Sequence, residues 1–281
     1  MINNRILERV FLNNWMIFTG LIIILLLIVI VLFAPVLAPH DPGSIDILKR
    51  FDSPSWDYPL GRDNLGRCLF SRLLYGARIS VGTSVLVTLF IVTLGFIIGS
   101  ISGFFGGKID IFFMGIVDIL LALPGMIMAL VIAGLLGPGL KSVVIGLVSV
   151  WWVRYARLIR GFTLSVKEKD YVESARAAGS GNMRIIIFHI LPQVFPTVLV
   201  LAALETGWVI LAITGLSFLG LGVQPPVPEW GSMLNNARLF FSKSPLLVVS
   251  PGFAIFVTVL GFNLLGEGLR DMFQLREINK M

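Results

Sequence analysis

WMIFTGLIIILLLIVIVLFAPVL, residues 15–37, is the stretch on which the fold turns, because no charged residue interrupts it and the uncharged run around it extends over 11–38. At about 1.5 Å of rise per residue, a helix of this length crosses a hydrocarbon core about 30 Å thick. A secretory signal peptide, with Arg5 and Arg9 as its basic flank, would carry an apolar segment of only about 7–15 residues. The stretch therefore reads as a transmembrane helix.

The rest of the chain agrees. Of its 281 residues, 56% are hydrophobic and only 14% charged, where soluble domains carry about one quarter charged. Apolar surface facing water costs free energy roughly in proportion to its area, and a mean hydropathy of +0.92 leaves more of it than one aqueous core can hide. The net charge of +6 and isoelectric point near 9.8 do not indicate nucleic acid, because the basic residues lie scattered between apolar runs. With the single cysteine Cys68, neither an intrachain disulfide nor a cysteine metal cluster is available.

Further uncharged stretches predict spans over 79–107, from 111 to 140 with only Asp118 inside, over 193–222 with only Glu205 inside, and over 244–266. Between Lys141 and Arg154 twelve uncharged residues remain, so a fourth span is expected to continue to about 159, with its arginines reaching toward headgroups. Backbone in lipid finds no water to bond. The expectation is an all-α membrane protein with six transmembrane helices. A segment over 1–78 holds the first helix and an external portion, a five-helix core covers 79–271, and a cytoplasmic tail covers 272–281.

Loop charge sets the orientation. The segment 154–192 carries seven basic residues and three acidic ones, which makes it cytoplasmic and puts both termini on the same side. In this topology His40 and His189 face opposite sides of the membrane, so they cannot share a metal. Prolines 39, 42, 54 and 59 with glycines 43, 61 and 66 predict an irregular external segment after the first span.

The loop before the fifth span holds Asp170-Tyr171-Val172-Glu173, where an aspartate N-cap with Glu three residues on predicts a helix start. Gly179 and Gly181 can end that helix in the left-handed conformation. A second apolar stretch, capped by Asn182, runs to Pro192. The outcome is a helix-turn-helix beneath the bundle, which by spacing alone is equally an amphipathic connector.

The order of residues adds to this. Glu173-Ser174-Ala175, then Gly179, then His189-Ile190-Leu191-Pro192 resembles the EAA loop of bacterial ABC importer permeases, with Ser174 at the usual second Ala and His189 at the usual Ile. The resemblance covers about 59–271 through Leu60-Gly61-Arg62-Asp63-Asn64-Leu65-Gly66-Arg67, the stretch from Asp118 to Pro124, the one from Ser217 to Gly222, and Pro228-Glu229-Trp230-Gly231. It points to the dipeptide, oligopeptide and nickel branch, and within it to the second permease type. It implies a cytoplasmic-membrane subunit of bacteria that couples to ATPases through Glu173, Ala175, Gly179, His189, Leu191 and Pro192. It further implies a homologous second permease, two ATPase subunits holding ATP and magnesium, and an external binding protein. No cofactor is expected on this chain, which has no G-x-x-x-x-G-K-[ST] motif for nucleotide.

Charged groups in a span are costly, about 2.5–3.5 kcal/mol on insertion scales, so Asp118 and Glu205 are candidates for the translocation path. Asp118 inclines to a structural role and Glu205 to a cationic partner. Arg154, Arg157 and Arg160 read as a basic stripe at the headgroups. Two other classes stay open at this point. A secondary transporter would show internal repeats around a midplane site, and a membrane enzyme would show an acid–base or metal cluster.

Overall fold

The computed structural model describes residues 15–278, and among these residues the secondary structure is helical, the one β-type contact being an isolated bridge between Arg62 and Cys68. The helices are α1 (Trp15–Leu37), α2 (Leu69–Phe105), α3 (Gly107–Leu121), α4 (Gly125–Leu136), α5 (Leu140–Lys167), α6 (Asp170–Ala177), α7 (Asn182–Ile185), α8 (Leu191–Phe218), α9 (Trp230–Ala237) and α10 (Leu246–Ile278). Among the described residues, five helical runs are each long and apolar enough to cross a membrane, and α3 with α4 makes a sixth if the bent pair is one span.

Helix α2 is the axis of the bundle and packs most extensively on α5. Gly95, Gly99 and Gly103 recur every fourth residue along it, the small-xxx-small pattern that lets membrane helices touch backbone to backbone. A Cβ at Gly99 would lie 2.5 Å from the Ala156 carbonyl oxygen, and one at Gly103 would lie 2.9 Å from that of Arg160. The core around this seam joins Val87 and Ile91 of α2 with Leu147 and Ile159 of α5, Val172 of α6, and Val209, Ile213 and Leu216 of α8. A second cluster gathers Leu69, Val81, Ile210, Trp230, Met233 and Leu247 where α2, α8, α9 and α10 meet.

The boundaries of several spans differ from the sequence expectation, each for a local reason. The third span is not one straight helix. It breaks after Leu121 and turns by 86°, because Pro124 has no amide hydrogen to continue the ladder, and its carbonyl instead starts α4 by accepting from Ile127 and Met128. Helix α2 begins at Leu69, ten residues before the uncharged run, so the expected boundary at 78/79 falls inside it. Helix α5 runs to Lys167 rather than 159, and α10 reaches Ile278, past the expected start of the tail at 272. The last three residues of that tail, like Arg5 and Arg9, lie outside the described residues.

Residues 38–68 form an irregular cap, as the prolines and glycines predict, fastened by a knot of buried charge. The Asp63 carboxylate accepts from the amides of Leu65 and Arg67 at 2.8 and 3.0 Å and from Arg67 Nε at 2.7 Å, and it lies 3.6 Å from Arg72 Nε. Arg72 also donates to the carbonyls of Pro42 and Pro226. A buried charge left without a partner is strongly destabilising, so this geometry locks the cap onto the first turn of α2. The Leu60–Arg67 stretch is thus a structural fastening.

A second fastening lies in the 219–229 connection. Glu229 is fully buried and caps α9, accepting from the amides of Gly231 and Ser232 at 2.9 and 2.8 Å and from Ser80 Oγ of α2 at 3.1 Å. Burial pushes its carboxyl above the usual range, opposed by those amide hydrogens.

Candidate functional site

Helix α6 hangs between two spans. Only Glu168 and Lys169 separate it from α5, and 178–181 separate it from α7. Its buried residue Val172 joins the bundle core together with Ile185 and Ile190, so α6 is packed against the spans and not merely tethered. The N-cap is Lys169, with no side-chain capping bond, and Asp170 is the first helical residue; the expected aspartate cap does not form. Asp170 and Glu173 still favour the helix by lying in its first turn, where the dipole is positive. Gly179 ends the helix at φ +82°, donating to the Arg176 carbonyl while Ser180 donates to that of Ala175, a Schellman-type stop. Gly181, by contrast, has φ −67° and serves as the N-cap of α7, the position expected of Asn182.

The second leg does not stop at Pro192. A π turn over Ile186–Ile190 leads into α8, with the Leu191 amide donating to the Ile186 carbonyl five residues back. Such a wide turn relieves the helix next to a proline, so the chain from Asn182 to Phe218 is one continuous helical run. Glu173, Gly179 and Pro192 are exposed, and Ala175, His189 and Leu191 are half-buried. His189 packs face to face with Tyr171, with ring centroids 6.4 Å apart.

The two intramembrane carboxylates are not brought together. Asp118 on α3 is exposed and pairs with Arg157 of α5. About two turns back along α3 and one turn on along α5, Asp110 makes a two-point pair with Arg160 at 2.5 Å and accepts from Ser102. Two of the three members of the arginine stripe thus tie α5 to α3.

The third member, Arg154, faces Glu205. A half-open cavity of about 500 Å³ is lined by Met126, Trp151, Arg154, Glu205, Trp208, Leu211 and Ala212. Arg154 and Glu205 also line a smaller hollow of about 140 Å³ with Tyr155, Leu158 and Leu201. The buried Tyr155 hydroxyl donates to a Glu205 carboxylate oxygen at 3.0 Å, with the Leu201 carbonyl oxygen 3.2 Å away. The cavity thus has apolar and aromatic walls and one charge of each sign. Sequence reasoning found Glu205 but read Arg154 as one of three arginines reaching toward headgroups, with Arg157 near the span end. The absence of any Gly or Pro at 155–160 was the available sign that α5 continues and leaves Arg154 at its middle.

Comparison with known proteins places the chain among transport components. Residues 95–278 match the family described as binding-protein-dependent transport system inner membrane component, and residues 8–54 match the N-terminal TM domain of oligopeptide transport permease C. The chain is 39% identical over 259 residues to the nickel transport system permease protein of Escherichia coli (strain K12), covering 92% of this chain and 94% of the relative. It is also 39% identical to a dipeptide transport system permease protein of Alkalihalophilus pseudofirmus, covering 92% and 85%. To a glutathione transport system permease protein of Pectobacterium atrosepticum it is 40% identical, covering 88% and 83%.

Proposed function

The chain belongs to the family of binding-protein-dependent transport system inner membrane components, and from that premise we propose how it works within its transporter. It is a multi-pass permease subunit of an ABC importer and not an enzyme. Membership implies ATPase and substrate-binding partners. In our reading the complete assembly pairs this chain with a homologous second permease, which closes the half-open cavity from the other side. Two ATPases, carrying ATP and magnesium, sit beneath α6, and a binding protein delivers cargo at the cap. Both termini and the α6–α7 loop are cytoplasmic. The relatives are named for nickel, dipeptide and glutathione at nearly equal identity, so similarity does not choose the cargo, and peptides, nickel and a metal chelate are the classes to be tested.

The observation that carries the coupling mechanism is the continuity of α6 with both cavity walls. Arg154 stands on α5 and Glu205 on α8, and α6 lies in the connection between these two helices with Val172 in the core they share. Closure of the ATPase pair pushes α6, and a rigid, core-packed helix passes the displacement to both walls as a lever. Glu173, Ala175 and Gly179 form the docking side of α6, while His189, Leu191 and Pro192 lie at the hinge into α8.

Gly179→Asp tests this. Nothing lies within 4 Å of a Cβ at Gly179, so the change meets no steric clash and costs only the backbone strain of φ +82°, which aspartate bears better than most residues. Membrane insertion should stay normal while ATP-driven uptake falls to background. Wild-type uptake in that variant would refute the docking assignment.

A further inference from the structure

Where the cap meets α2, two buried guanidiniums share one carboxylate. Arg67 is 6% exposed and Arg72 3%. The Asp63 carboxylate accepts from the amides of Leu65 and Arg67 through one oxygen and from Arg67 Nε through the other, which Arg72 Nε approaches to 3.6 Å. The other acids of the cap's charge knot, Asp46 and Asp52, pair with Arg62 instead. Among the described residues, Arg67 makes its side-chain bond through Nε alone, so the donors on its two terminal nitrogens are left over.

Asp63, Arg67 and Arg72 line a half-open pocket of about 20 Å³, together with Asn64 of the cap and Asn236 of α9. Neither asparagine side chain makes a hydrogen bond among the described residues, and each has an amide group to donate. Met233 and Leu247 supply apolar wall, which keeps the local dielectric low and the pull on an opposite charge strong. We infer that this pocket is a site for a small monovalent anion of the chloride class, held by Arg67 and Arg72 and flanked by the two amides. One water-sized occupant needs about 10–15 Å³, so the space admits a single such ion and excludes a sugar acid. A water molecule would satisfy the N–H donors but would leave two buried guanidiniums to one carboxylate, and charge buried short of a partner is costly. Because the lining comes from the cap, α2, α9 and the start of α10, the ion ties the cap to the α9–α10 side of the bundle.

The test follows Cys68, which adjoins Arg67 in sequence and is 2% exposed, with an uncharged thiol-reactive dye. The complete transporter is heated in membranes, in chloride or in gluconate at equal ionic strength, and labelling of this chain is read after the subunits are separated by electrophoresis. A ligand that binds the folded site alone stabilises with the logarithm of its concentration. Each tenfold rise in chloride above half-occupancy should therefore raise the midpoint by about 3–5 °C. Arg67→Gln should abolish this effect. Should that variant fail to fold, Asn236→Asp decides the matter, because it leaves the Arg67–Asp63 pair in place and brings a competing negative charge to an exposed position lining the pocket. Its midpoint should be the same in both salts. Equal midpoints for the wild type in chloride and gluconate overturn the inference, as does an undiminished chloride effect in Asn236→Asp. A rise that is linear in chloride concentration overturns it too, since that marks a general salt effect and not a site.

Discussion

Replacing Gly99 with leucine inserts a side chain where two helix backbones already touch. A Cβ at that position would lie 2.5 Å from the Ala156 carbonyl oxygen and 3.0 Å from both Arg160 N and Ile159 Cβ. Two of these three atoms are backbone in mid-helix and cannot swing aside. Restoring ordinary contact requires α2 and α5 to part by about 1 Å, and a gap of about 0.5–1 Å already forfeits a quarter to a half of each dispersion contact along the seam. Overpacking costs typically about 1–3 kcal/mol, and rigid backbone neighbours put this case at about 3 kcal/mol. The assay follows Cys68, the chain's single cysteine, which is 2% exposed at the start of α2, with a thiol-reactive dye during heating. The midpoint should fall by several degrees. Gly82 lies on the same helix with nothing within 4 Å of its Cβ, so Gly82→Leu should leave the midpoint unchanged. Equal midpoints for Gly99→Leu and wild type would refute the packing argument, and so would equal damage at Gly82.

Other consequences can be checked in the same way. Glu229→Gln turns an amide hydrogen toward one of the two backbone N–H donors now satisfied by the carboxylate oxygens, and should cost about 1–3 kcal/mol, read as a lower unfolding midpoint. Because burial raises the Glu229 pKa in the folded state, its contribution is fully present below the unfolded value and is lost as pH rises through the folded one. Wild type should therefore lose some stability over that window and the Gln variant should not. Asp110→Asn breaks a two-point, half-buried pair with Arg160, whereas Asp118→Asn breaks an exposed one. Exposed pairs contribute about 0.2–1 kcal/mol, so the Asp110 variant should melt at the lower temperature.

The spans are legible in the sequence wherever charge is absent, because lipid tolerates no unpaired charge. Their ends are hidden because the charges that mark them are paired in three dimensions. Helix α2 can start ten residues early because Arg72 finds Asp63 and the carbonyls of Pro42 and Pro226, the last 154 residues away. Helix α5 can run past Arg157 and Arg160 because α3 supplies Asp118 and Asp110. Pro124 is readable as a break, but its angle depends on how α4 packs on α5. The α6 helix and its Gly179 stop are local and were legible. The cavity was not, because Arg154 and Glu205 meet only through the packing of α5 and α8.

The most direct test of the account is the energy source for uptake in cells with this chain deleted and restored, supplied in turn with labelled dialanine, glutathione and nickel. The account predicts that deletion abolishes uptake of at least one probe and that restoration returns it. That uptake should persist when ion gradients are collapsed and stop when ATP is depleted. Uptake that survives ATP depletion and stops with the ion gradients would contradict it and identify an ion-coupled transporter.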